Sequence, residues 1–220
     1  MNYKEVIEAK YNREAWQQLL HDIFLNKVQF YNSTSEVKVN SRLAKSALYI
    51  GRISLSDGES LGIYEVELAD KVDIERNKRG IRDMLTKDWK DMGHAGAFMF
   101  CYRKNESVLR FSYVSETWGF NKKGDYEKLS TNTKRYTYLL GEGRGCRTAI
   151  EQFNALKDSK QSLSDVTAAF SVEALTKQFY KDLFDWYQWA VDPASGVYFP
   201  NNTSTEDDDR EDIETKIIRM

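Results

Sequence analysis

The chain has 220 residues, 41% hydrophobic and 13% aromatic, with a formal net charge of −2. That length fits one domain, or one domain with an appendage, and the apolar share is enough for a core, which excludes a disordered chain. Cys101 and Cys146 lie far apart and make neither a disulfide framework nor a metal-binding spacing, which fits a reducing cytosol; no apolar run is long enough to span a bilayer, and no apolar signal segment opens the chain.

The first expected element is a helix over 12–30, with Trp16, Leu19, Leu20, Ile23 and Phe24 on one stripe and Asn12 placed to cap it. Residues 33–42 are polar and read as a loop. Residues 45–68 read as a hairpin. Ala47, Tyr49 and Ile53 alternate with more polar neighbours, Asp57-Gly58 is a turn signal, and Ile63 to Leu68 is the returning strand. A helix with a basic face is expected over 73–92, where Arg76, Arg79 and Arg82 recur at three-residue steps. Residues 95–102 read as a buried strand, 108–114 as its hairpin partner, and 135–140 as a further short strand.

Beyond these the period becomes helical, with expected helices over 146–156, 164–170 and 171–190. In the last, Leu175, Phe179, Leu183, Trp186 and Ala190 recur every three or four residues, and Pro193 and Gly196 end it. Residues 193–212 are turn-rich, then acidic. Ile213, Ile217 and Ile218 begin another stripe that Met220 cuts off, so the chain is expected to be a fragment of something longer. The pattern as a whole predicts an α/β or α+β sandwich with a mixed sheet.

The chemistry centres on the strand Ile63-Tyr64-Glu65-Val66-Glu67-Leu68. Side chains two residues apart share a face of a strand, so Glu65 and Glu67 point one way while Tyr64, Val66 and Leu68 point the other. Like charges side by side repel, and a divalent cation would reconcile them; open solvent would as well. Magnesium-dependent nucleases place one acid before a strand and a second within it, which makes Asp57, Glu65 and position 67 a candidate series. Asp57 has a second reading as the first residue of a hairpin turn. The arginines of the basic helix, with Lys71 just before it, suit phosphate contacts; the other reading is a solvated face paired internally by Glu75 and Asp83. A basic middle followed by the acidic run 206–212 fits a nucleic-acid surface and a solvated loop.

Other features point to structure. Gly141-Glu142-Gly143-Arg144-Gly145 before a helix could cradle an anion, but it lacks the Gly-Lys-Ser/Thr ending of a phosphate-binding loop and reads as a tight turn. His21 and His94 are isolated. Trp186, Tyr187 and Trp189 read as core or as an interdomain face, and Cys146 has no histidine partner that would make it a nucleophile.

Taken together, the strand 63–68, the Arg76/Arg79/Arg82 helix, Leu109-Arg110-Phe111-Ser112-Tyr113-Val114, Tyr136-Thr137-Tyr138-Leu139-Leu140-Gly141 with Cys146-Arg147-Thr148-Ala149, and Phe170-Ser171-Val172-Glu173-Ala174-Leu175-Thr176-Lys177-Gln178-Phe179-Tyr180 give the chain a family likeness. Over roughly residues 12–220 it resembles the N-terminal region of type IIG restriction–modification proteins. In these a PD-(D/E)xK nuclease domain precedes a helical connector, an adenine-specific DNA methyltransferase and a target-recognition domain.

The resemblance implies a nuclease-like α/β domain over 1–150, with a mixed sheet flanked by helices, and a helical connector with a flexible acidic segment over 151–220. It implies magnesium or manganese as cofactor, double-stranded DNA as substrate, a role in defence against phage, and the remaining domains of a parent chain as partners. Glu65 falls where a metal-binding acid is expected, with Asp57 or Glu67 as a second. Glu14 on the first helix could add another carboxylate, and Lys71 with a helix arginine would stabilise phosphate charge. Glu67 stands where many such nucleases have lysine. The resemblance then leaves an altered site, a lysine from elsewhere (Lys71 or Lys78), or a domain that keeps DNA contact or interdomain interaction without cleavage. With only Pro193 and Pro200 present, a double-proline methyltransferase loop is impossible, and no S-adenosylmethionine site is expected.

Overall fold

The structure is a computed structural model that describes residues 2–75, 78–120, 126–130 and 136–196. It divides into two compact units, Met1–Val172 and Glu173–Met220. The helices over 147–158 and 163–170 fall within the first unit.

The first unit opens with α1 (Tyr3–Glu8) and α2 (Arg13–Phe24). Asn12 caps α2, its side-chain oxygen accepting the Ala15 N–H at 2.9 Å. The strands follow: β1 (Val28–Glu36), β2 (Ala44–Ser54) and β3 (Ser60–Leu68). The helix α3 (Lys78–Asp91) leads to β4 (Gly96–Tyr102), β5 (Leu109–Phe120), β6 (Tyr126–Ser130) and β7 (Thr137–Leu140). Then come α4 (Arg147–Asp158) and α5 (Leu163–Phe170), the latter begun by a Ser162/Asp165 capping box. The expected helix over 12–30 is therefore shorter, and β1 occupies part of the expected loop. Its register on β2 is interrupted between Phe30 and Ser35, which blurs the alternation that would reveal a strand.

The strands form one mixed sheet in the order β1-β2-β3-β4-β5-β6, with β7 also paired to β5. β1, β2 and β3 are successively antiparallel, α3 carries the chain across to β4 parallel to β3, and β5 returns antiparallel. β3 thus lies inside the sheet and is buried along nearly its whole length.

Each face of the sheet is covered by helices. On one face Tyr64, Val66 and Leu68 of β3 meet Ile81, Leu85 and Trp89 of α3, at the helical spacing that buries one side of α3. The other face is aromatic. Trp16 of α2 packs 5.1 Å from Phe100 and 5.2 Å from Phe111, ring centre to ring centre, and Phe170 of α5 lies 5.2 Å from both Phe98 and Phe111. This layer fixes α2 across β4 and β5, and with it the side chains at the start of α2.

Of the second unit, α6 (Val172–Val191) and a short turn at Pro193–Ser195 are described. Phe179, Tyr180, Phe184, Trp186 and Trp189 are all exposed, so the tryptophans are not core residues. The expected apolar stripe over 213–220 and most of the acidic segment lie outside the described residues. Among the described residues no helix is long and apolar enough to cross a membrane.

Candidate active site

Glu65 and Glu67 leave β3 on the face opposite Tyr64, Val66 and Leu68, as the two-residue period requires. Neither faces open solvent: Glu65 is 2% exposed and Glu67 9%. A buried carboxylate needs a partner, because desolvation disfavours its charge. Glu65 has two. Arg13, at the first position of α2, donates from Nε to Oε1 at 2.8 Å and from Nη2 to Oε2, a bidentate pairing. The Tyr11 hydroxyl donates to Oε1 as well. Tyr11 is held in place by ring contacts with Phe100 and Tyr102, at 5.5 and 4.6 Å. Its burial, then the Glu65 charge, push the Tyr11 phenol well above the usual tyrosine range, so it remains a donor. Arg13 is held further toward its charged form by its hydrogen bond to Glu65.

Glu67 is met by two lysines from neighbouring strands. Lys104, in the turn after β4, places Nζ 3.0 Å from Oε2. Lys45 of β2 lies 4.0 Å from Oε1 and 2.6 Å from Asp70. The β2–β3 register shifts between Ala44 and Ser46, so Lys45 is the extra residue of a bulge, a device that re-aims a side chain. The Lys45 ammonium holds Asp70 below the usual carboxylate range, and Asp70 raises Lys45 in return. Burial, then Glu65 and Glu67, raise the Tyr102 phenol.

The other expected residues are distributed differently. Asp57 sits in the β2–β3 turn, where its carboxylate accepts the Glu59 N–H at 3.3 Å and the Leu163 N–H at 2.7 Å, the first residue of α5. Glu65 lies five positions along β3 from Ser60, about 17 Å of extended strand, so Asp57, in the turn before Ser60, is remote from Glu65. Glu14 and Lys71 are exposed. Arg76 and the Arg79 side chain, like the side chain of Lys78, lie outside the described residues. Arg82 pairs with its neighbour Asp83 at 2.7 Å, and Glu75 pairs with Arg144, outside the helix, at 2.6 Å. His94 is buried between Ser60 and Tyr49, and His21 packs edge-on against Phe30.

Five residues that the sequence reading did not single out therefore surround the two glutamates: Tyr11, Arg13, Lys45, Tyr102 and Lys104. What joins them is strand register. The parallel pairing Glu65↔Phe100 and Glu67↔Tyr102 carries the β4–β5 turn alongside Glu67.

The donor set decides how a divalent cation could be held. Among the described residues no three His, Cys, Asp or Glu side chains gather as a metal cage. The pair Glu65 and Glu67 offers hard carboxylate oxygens, and magnesium commonly takes one or two carboxylates and fills its shell with water and substrate phosphate. Glu65 and Glu67 would be the residues to hold such an ion, and in this structure Arg13 and Lys104 are paired with them.

No family model matches the chain, and no curated protein or solved structure does either.

Proposed function

We propose that the first unit is the nuclease-like domain of a restriction–modification protein of the type IIG kind, a PD-(D/E)xK-like sheet that hydrolyses phosphodiesters of double-stranded DNA. The observation that carries this reading is the pair of buried carboxylates, Glu65 and Glu67, side by side on an interior strand and ringed by Arg13, Lys45 and Lys104. Glu65 and Glu67 would hold magnesium, which polarises a phosphate and lowers the pKa of a bound water. Arg13 at the start of α2 brings a cation to the strand on the face that the two glutamates share, while α3 covers the opposite face. Target recognition and methylation would belong to other parts of a parent chain.

A second reading is favoured by one observation: both oxygens of Glu65 are already claimed by Arg13, and one by Tyr11. In that reading the domain keeps the nuclease-like fold for DNA contact or interdomain interaction and does not cleave. Incubation of supercoiled plasmid with magnesium or manganese separates the two. The first reading expects cleavage by the wild type and none by Glu65→Ala; folded wild-type protein that binds DNA with salt sensitivity but leaves it intact would establish the second.

A further inference from the structure

The glutamate at position 67 raises the question of which cation serves the phosphate. We propose, resting on the nuclease reading above, that Lys104 is the side chain that contacts the scissile phosphodiester and balances the charge that grows on its oxygens.

Three observations single it out. The first is register: β4 runs parallel to β3 with Tyr102 beside Glu67, so the chain two residues further on reaches the outer end of the glutamate pair. The second is contact, since Nζ of Lys104 rests 3.0 Å from Glu67. The third is freedom. The Lys104 side chain is 72% exposed while that of Glu67 is 11% exposed, so its ammonium can turn outward to a ligand without leaving the carboxylate's neighbourhood. Arg13 is paired through both branches with Glu65, the more deeply buried of the two acids, and Lys45 lies 2.6 Å from Asp70. Among the described residues Lys71, nearer in sequence, forms no ion pair with either glutamate.

Hydrolysis sets the task. The water oxygen bonds to phosphorus, and the bond from phosphorus to one ester oxygen breaks with its electron pair left on the departing oxygen. Water releases one proton and the departing oxygen takes one up, giving an alcohol and a phosphomonoester. Negative charge concentrates on the non-bridging oxygens as the new bond forms, and an ammonium donating to one of them stabilises that state more than the ground state.

The test compares wild type, Lys104→Ala, Lys104→Arg and Glu65→Ala of the full chain, with Lys157→Ala as control, a lysine at the end of α4 that pairs with Asp22 at 2.9 Å. Affinity for a DNA duplex is followed against salt without divalent cation, and single-turnover cleavage is followed with magnesium. Loss of one phosphate contact lowers the salt slope by about one. Loss of one donor to a developing oxyanion costs on the order of 100-fold in rate. Lys104→Ala is expected to show both, Lys104→Arg to keep the slope and recover part of the rate, and Lys157→Ala to match wild type. A Lys104→Ala protein with wild-type cleavage, or one slowed with an unchanged slope, overturns the role of Lys104 while Glu65→Ala inactivity leaves the nuclease reading standing. Wild type that does not cleave, or that cleaves no faster than Glu65→Ala, removes that reading and this inference with it.

Discussion

Arg13, at the start of α2, grips Glu65, in the middle of β3, through two guanidinium–carboxylate contacts across fifty-two positions of sequence. The pairing joins the helix layer to the sheet at the point where the candidate site lies. The carboxylate is buried and the guanidinium side chain is 40% exposed, so the two partners are not equivalent.

Removing the cation leaves the buried charge with Tyr11 alone. Arg13→Ala is expected to destabilise the fold by about 3 kcal/mol, at the lower end for a broken buried pair because solvent reaches Arg13. Arg13→Met combined with Glu65→Leu removes both charges and should recover most of that loss. Urea unfolding of the two variants checks the pair; equal destabilisation would mean the contact contributes little.

Asp57 holds the first N–H of α5. Asp57→Ala should cost about 1 kcal/mol, the usual value of a lost cap contact, with no change in the unfolding slope against urea. Asp57→Asn, which keeps an accepting oxygen, should retain most of the stability.

The aromatic layer sets where Arg13 stands. Trp16 is 1% exposed between Phe100 and Phe111, one turn along α2 from Arg13. Trp16→Ala should cost about 4 kcal/mol by loss of a large buried ring. Amide exchange should quicken along α2 before it does along α3, which rests on the opposite face of the sheet.

His94 gives the fold a dependence on pH. Its ring nitrogens lie 2.8 Å from the Ser60 hydroxyl and 2.9 Å from that of Tyr49, and burial holds its pKa below the ordinary histidine value of about 6.5. As pH falls below about 6.5 the unfolded chain takes up this proton first, so stability declines through that window and down to the folded pKa; above it the contribution is fully present. The urea midpoint of the wild type should therefore fall between pH 7.5 and 5.5 by more than that of His94→Asn. Parallel falls would remove His94 from the account.

Much of the sheet was legible because its strands alternate cleanly. In β3 the period placed Glu65 and Glu67 on one face and Tyr64, Val66 and Leu68 on the other, and the Asp57-Gly58 turn marked the hairpin. β1 was not legible, because its interrupted register and polar surface leave no two-residue pattern. The surroundings of the glutamates were hidden for another reason. Tyr11, Arg13, Lys45 and Lys104 reach β3 from a loop, a helix start, a bulge and a turn, and only the parallel pairing of β3 with β4 and the packing of Trp16 bring those four places together. Local sequence contains the residues but not the register.

The central claim is that Glu65 belongs to a working site for phosphodiester hydrolysis. Its most direct test is the initial rate at which supercoiled plasmid is cut in magnesium by wild type and by Glu65→Gln, both verified as folded by circular dichroism. Glutamine preserves shape and removes the charge, so the account predicts cutting by the wild type and a rate at least 100-fold lower in the variant, a loss of nearly 3 kcal/mol of transition-state stabilisation. Equal rates, or no cutting by either protein, would contradict it.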